Sequence, residues 1–266
     1  MLVAAGVVFC VGPSVSGAEP AYSFHSPFHP QQCDRAIDAG HRQLDRDPSD
    51  GTGRMLVAEG LLCRGLEDDP GALDAAIGML RQIAADQPAH FFAQLELADA
   101  LRKRFPLSDD AQAALLRARD LLQTADVGAA RQELTDYIDE NLAAVAQHRA
   151  GALPFLEESA QRLATNTLSP AEMAGFISVL AQTGPEGLLG AEQRLDTYLM
   201  RHTDDALATL YRAELLRGRV LPETSRRLYA EAEARLCDRP RAEAESPECR
   251  LARSRERQLR EREADE

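Results

Sequence analysis

Tryptophan is absent from this 266-residue chain, aromatics make up only 5%, and Lys103 is the single lysine. Val, Ile and Thr are thin as well, which argues against a strand-rich fold. Positive charge is outnumbered: the formal net charge is −13. That argues against a nucleic-acid partner, because phosphate binding needs clustered cations, and against electrostatic docking on anionic lipid. No apolar run approaches ~18 residues, so no integral membrane span is read. Cys-x-x-Cys, a glycine-rich phosphate loop and a Gly-x-Ser-x-Gly elbow are all missing, so the sequence points to no metal, no cofactor and no catalytic residue.

What remains is 44% apolar and 27% charged, the balance of a folded protein. Ala, Leu, Arg, Glu and Asp dominate, and most of these favour helix. Arginine supplies every other basic residue, a mark of GC-rich, bacterial coding. Residues 1–18 carry no charge, with the apolar run Leu2 to Phe9, then Pro13 and the small residues Ser16 and Ala18. This reads as a signal peptide cleaved before Glu19, although the usual positive start is missing. Phe9 stands where a lipoprotein box needs a small residue, so Cys10 is not read as a lipid anchor. Residues 19–30 hold Pro20, Pro27 and Pro30 and form an extended leader.

Beyond it the chain alternates helix and break. Helices are expected near 31–46, 52–66, 70–86, 89–104, 108–125, 128–149, 152–165, 169–183, 187–201, 204–218, 222–237 and 246–262. Prolines 48, 70, 88, 106, 170, 185 and 222 punctuate the breaks. Met173, Phe176, Ile177, Leu180 and Ala181 share one helical face, and Ser169, Pro170 and Glu172 form a capping box at its start. Glu157-Glu158 and Asp204-Asp205 read as acids at helix starts, where the helix dipole favours them. Short breaks make neighbours antiparallel, so the expected fold is all-α, a solenoid of about twelve helices in hairpins over 31–240. Residues 241–266, with seven Arg against eight acids, read as a polar capping helix and tail.

Ala76, Leu80, Ile83 and Pro88 follow the second-helix pattern of a tetratricopeptide repeat, and Leu56-Val57-Ala58 with Leu61 and Gly65 follow the first. Phe92 and Leu95, then Ala118, Leu122 and Ala125, repeat the theme; Ala206, Leu210, Ala213, Tyr229 and Ala232 repeat it loosely. These stretches resemble the tetratricopeptide-repeat family. Extra residues at 66–70 and 105–110 and the missing Gly-Tyr signature depart from it, and Val127 to Gly184 shows helices without an alignable repeat. The resemblance implies a groove for a protein partner. In an exported setting it implies a non-enzymatic scaffold, or an accessory subunit of a cell-envelope complex in the periplasm. The candidate contact residues are Phe92, Glu96 and Asp99, with Tyr211 and Glu214 near the end. The alternative is a periplasmic small-ligand binder that accompanies a solute transporter.

Behind the export signal stand four cysteines, Cys33, Cys63, Cys237 and Cys249, an even number that reads as disulfides. Three pairings are open; sequence proximity favours Cys33–Cys63 and Cys237–Cys249, one staple near each end of the array. Six histidines are scattered; only His25 and His29 lie close, and Pro27 and Pro30 break the helix that would align them with Cys33.

Overall fold

The computed structural model describes residues 8–10, 23–25, 30–66, 69–165, 168–217, 219–220, 222–237 and 246–265. Among them lie eleven α-helices: α1 Pro30–Leu44, α2 Gly51–Leu66, α3 Pro70–Asp86, α4 Phe91–Arg104, α5 Asp109–Leu122, α6 Arg131–Ala164, α7 Pro170–Leu180, α8 Pro185–Leu199, α9 Ala206–Leu216, α10 Pro222–Leu236 and α11 Pro247–Asp265. The fold is all-α apart from one short ribbon, in which β1 (Val8–Cys10) pairs antiparallel with β2 (Ser23–His25). The expected cleavage point before Glu19 lies outside the described residues.

Proline and side-chain caps set the helix starts. Asp69 accepts from the amides of Gly71 and Ala72, with Pro70 next in line. Ser169 and Glu172 form both halves of the expected capping box. Asp205 caps α9 by accepting from the Ala208 amide. α7 tightens into a 3-10 turn over Ala181–Thr183 and stops at Gly184, whose φ of 137° suits glycine.

One boundary differs from expectation. The helices expected over 128–149 and 152–165 are a single helix, α6, which runs through Gly151 and Pro154. Proline removes the N–H that Ala150 would bond. Ala150, Gly151, Leu153 and Pro154 are all exposed, so water can take the freed carbonyl and the helix continues. Glu157 and Glu158 therefore sit inside α6, not at a helix start.

The chain divides into two compact units, residues 1–104 with 111–140, and residues 105–110 with 141–266. In the first, α1 packs on α2, α2 on α3, and α3 on α4, while α2 also meets α4. Helix starts recur at a near-constant interval: Pro30, Pro70 and Asp109 open first helices and Gly51, Phe91 and Arg131 second ones, each forty or thirty-nine residues after the last. Matching positions carry matching roles. Arg64 pairs with Asp34 and Arg104 with Asp74, forty residues on. Ala58 and Ala98 are both fully buried. The interval exceeds the ~34 residues of a tetratricopeptide unit.

α1 and α2 approach backbone to backbone. A Cβ on Gly60 would lie 2.6 Å from Ile37 Cγ1 and 2.7 Å from the Cys33 carbonyl oxygen; one on Gly40 would lie 2.7 Å from the Gly53 carbonyl oxygen. Cys33 and Cys63 close this hairpin by a disulfide, with Cα atoms 5.5 Å apart.

In the second unit α7 packs on α8, α8 on α9, α9 on α10, and α10 on α11. Leu210, Ala213, Leu216, Leu228, Tyr229, Ala232 and Ala252 form the core shared by α9, α10 and α11. The Cys237–Cys249 disulfide ties α10 to α11, with Cα atoms 5.4 Å apart. Both expected staples are thus present.

Two substitutions of the same kind have opposite expected effects. Gly60→Ala forces a methyl into the Cys33 carbonyl, and we expect a loss of about 2 kcal/mol by denaturant unfolding. Gly78→Ala, on α3 with nothing within 4 Å, should stabilise by about 0.5 kcal/mol through helix propensity. Equal effects would contradict the close packing of α1 on α2. Reducing Cys33–Cys63, whose residues are 30 apart in sequence, should cost about 3 kcal/mol in the chain-entropy account.

Candidate functional site

α2 presents Met55, Ala58, Glu59 and Leu62 at helical spacing, and all four are buried. Glu59 is thus an acid on an apolar face, with 3% of its surface exposed. α4 presents Glu96, equally buried, from the opposite side, and the two carboxyl groups meet. Among the described residues neither Glu96 oxygen has a hydrogen-bond donor, and Glu59 Oε2 has none either. Two carboxylates offer only acceptors, so a carboxyl proton held between them would supply the missing donor.

The electrostatics agree. Burial pushes the Glu59 carboxyl up to about 8. Burial raises Glu96 well above the ordinary carboxyl range, and the charges of Glu59 and Asp99 raise it further. One turn on, Asp99 accepts from the Tyr137 hydroxyl at 2.6 Å and lies 3.6 Å from the Arg102 guanidinium. Burial carries Asp99 up to about 6, opposed by Arg102 and by the Tyr137 hydrogen bond. The Tyr137 phenol is pushed up, first by burial and then by Asp99.

The second unit repeats the theme with cations. Glu214 on α9 accepts from the Tyr229 hydroxyl on α10 at 2.8 Å. Its two oxygens also lie 3.4 Å from Arg255 on α11 and 3.5 Å from Arg217. Three helices thus converge on one half-buried carboxylate.

The candidate contact residues fall into three settings. Glu96 and Asp99 join one buried cluster, and Glu214 lies in the other. Phe92 is half-buried and packs edge-on against Phe91, with ring centroids 4.9 Å apart. Tyr211 is half-buried on α9. The sequence pattern gives no site role to Glu59 or Tyr137 and marks Tyr229 only as a repeat position, yet Glu59 carries a readable signal as a charge at a core-spaced position. His90 was likewise passed over: its Nδ1 accepts from the Ala93 amide at 3.1 Å and caps α4. Among the described residues no group of three or more His, Cys, Asp or Glu is placed to hold a metal ion, and no helix is long and apolar enough to cross a membrane.

No protein-family description matches this chain, and no curated protein matches it in sequence.

Both Glu59 and Glu96 hold their protons more tightly folded than unfolded, so rising pH removes protons that favour the folded state. Stability is full below the ordinary value of 4.5 and is lost as pH rises toward about 8. Thermal unfolding should therefore shift to lower temperature between pH 5 and pH 8. Glu96→Gln keeps a donor for Glu59 without a charge; it should flatten this dependence and stabilise the chain at pH 8 by about 1–3 kcal/mol. A wild-type profile with the opposite slope would contradict the protonated pair.

Proposed function

We propose that this chain is an exported, non-enzymatic interaction protein that holds a peptide or a subunit of a cell-envelope complex. The observation that carries the reading is the regular stack of the first unit, with matching helix starts forty or thirty-nine residues apart. A helical hairpin exposes an apolar stripe until a neighbour covers it, and stacked hairpins leave one face of the array for a partner. Two disulfides fit an oxidising, exported setting. The embedded acids supply a second support. Glu96, Asp99 and Glu214 are tied into internal clusters, which hold a scaffold rigid and reduce the ordering cost of binding. On this reading the accessible anchors are the half-buried rings of Phe92 and Tyr211, since aromatic side chains dominate binding energy at interfaces.

The test is site-specific photo-crosslinking in cells that make the full chain. A crosslinking side chain at Phe92 or Tyr211 should give a discrete adduct of one protein. The same group at Gln123, exposed just past the end of α5, should give none. No adduct at either ring, or equal labelling at Gln123, would contradict the reading.

A further inference from the structure

We propose that the second unit holds a separate binding site for a small organic acid, a carboxylate with an apolar body, in the cleft formed by the end of α6, α7 and α8. The cleft has a volume of about 610 Å³, within the range that small-molecule sites occupy. Leu163, Leu168 and Met173 make one wall. The other wall is the face of α8 bearing Arg194, Thr197 and Tyr198, followed by Arg201 and His202 just past its end. Arg194, Thr197 or Tyr198, and Arg201 follow helical spacing, so one face projects them together.

The charge of this wall is the reverse of the chain's. The protein carries −13 overall, yet no carboxylate is among the described residues that line the cleft. Two acids close to the cleft are already engaged. Asp205 accepts from the Tyr198 hydroxyl at 2.8 Å and from the Ala208 amide at 3.0 Å. Glu172 is held by Arg162 at 2.6 Å and by the Ser169 cap. Neither Arg194 nor Arg201 has an ion-pair partner among the described residues. Their positive charges are available to a ligand.

The wall is also pre-arranged. Arg194 donates to the Gly190 carbonyl at 3.2 Å and lies 6.0 Å from the Phe176 ring centroid, which orients the guanidinium. The His202 ring stacks on Tyr198, with centroids 4.4 Å apart. Cations beyond the last turn of a helix also serve its dipole; Arg194, in the body of α8, has no such role. One apolar wall facing one cationic wall suits a molecule with a hydrocarbon body and a single negative end. This site is independent of the protein partner proposed above.

Isothermal titration calorimetry of the full chain tests this with three probes: octanoate, octanol and inorganic phosphate. Octanoate should bind saturably, one per chain. Octanol and phosphate should each bind at least about tenfold more weakly, since each lacks one half of the recognition. Arg201→Ala should weaken octanoate about tenfold. Thr197→Glu, which places a carboxylate on the same exposed face, should abolish binding. Thermal unfolding reports whether each variant is folded. Equal affinity for octanol would reduce the site to an apolar crevice, and equal affinity for phosphate to a general anion site; either overturns the proposal. So does the absence of saturable octanoate binding, or binding that persists unchanged in folded Thr197→Glu.

Discussion

Helix α2 is the constraint on which the first unit depends, because it packs against α1, α3 and α4. Each contact asks for a different chemistry. Toward α1 it needs no side chain at all, so Gly53 and Gly60 let the backbones meet, and Cys63 closes the gap covalently. Toward α3 it presents Gly65 against Leu73. Toward α4 it buries Glu59 against Glu96. An ionised pair there would place two like charges in a low-dielectric core, which the protein interior does not tolerate without cations. The pair is stable because it keeps protons. The same contact therefore ties the stacking of α2 on α4 to pH.

The second unit surrounds a half-buried acid with cations instead of protons. Glu214 draws a phenol and two guanidiniums from separate elements into one network. The disulfide then fixes α11, whose arginine-rich sequence offers little to bury beyond Cys249, Ala252 and Leu259. α11 packs on α10 and α9, and the covalent link adds to those contacts.

Much of this architecture was legible in the sequence. Prolines and capping side chains mark helix starts through local backbone chemistry, and that chemistry does not depend on the rest of the fold; Pro70, Pro170 and Asp205 are examples. The disulfide pairing followed from proximity along the chain, because each pair bridges adjacent helices. The continuity of α6 was not legible: Pro154 breaks a buried helix but not an exposed one, and exposure is a tertiary property. The forty-residue interval was hidden because only a few positions, such as Asp34 with Asp74 and Arg64 with Arg104, keep their identity from one hairpin to the next. In the candidate site, Glu96 and Asp99 could be placed on a helix face, but Glu59 and Tyr137 reach them from distant elements that no local pattern connects. The cationic cleft stayed hidden for a related reason. Arg194 lines it from α8 and Arg201 and His202 from just past that helix, whereas its apolar wall comes from α6, α7 and the loop between them.

In the interaction role we propose, buried acids neutralised internally leave the surface to a partner without a cost of internal ordering. That account rests on the protonated state of the carboxyl pair between α2 and α4. Infrared spectroscopy of the chain labelled at its glutamate carboxyls measures that state directly. The account predicts a protonated-carboxyl stretch at neutral pH that disappears in the Glu59→Gln/Glu96→Gln double variant. A neutral-pH spectrum showing only ionised carboxylates would contradict it.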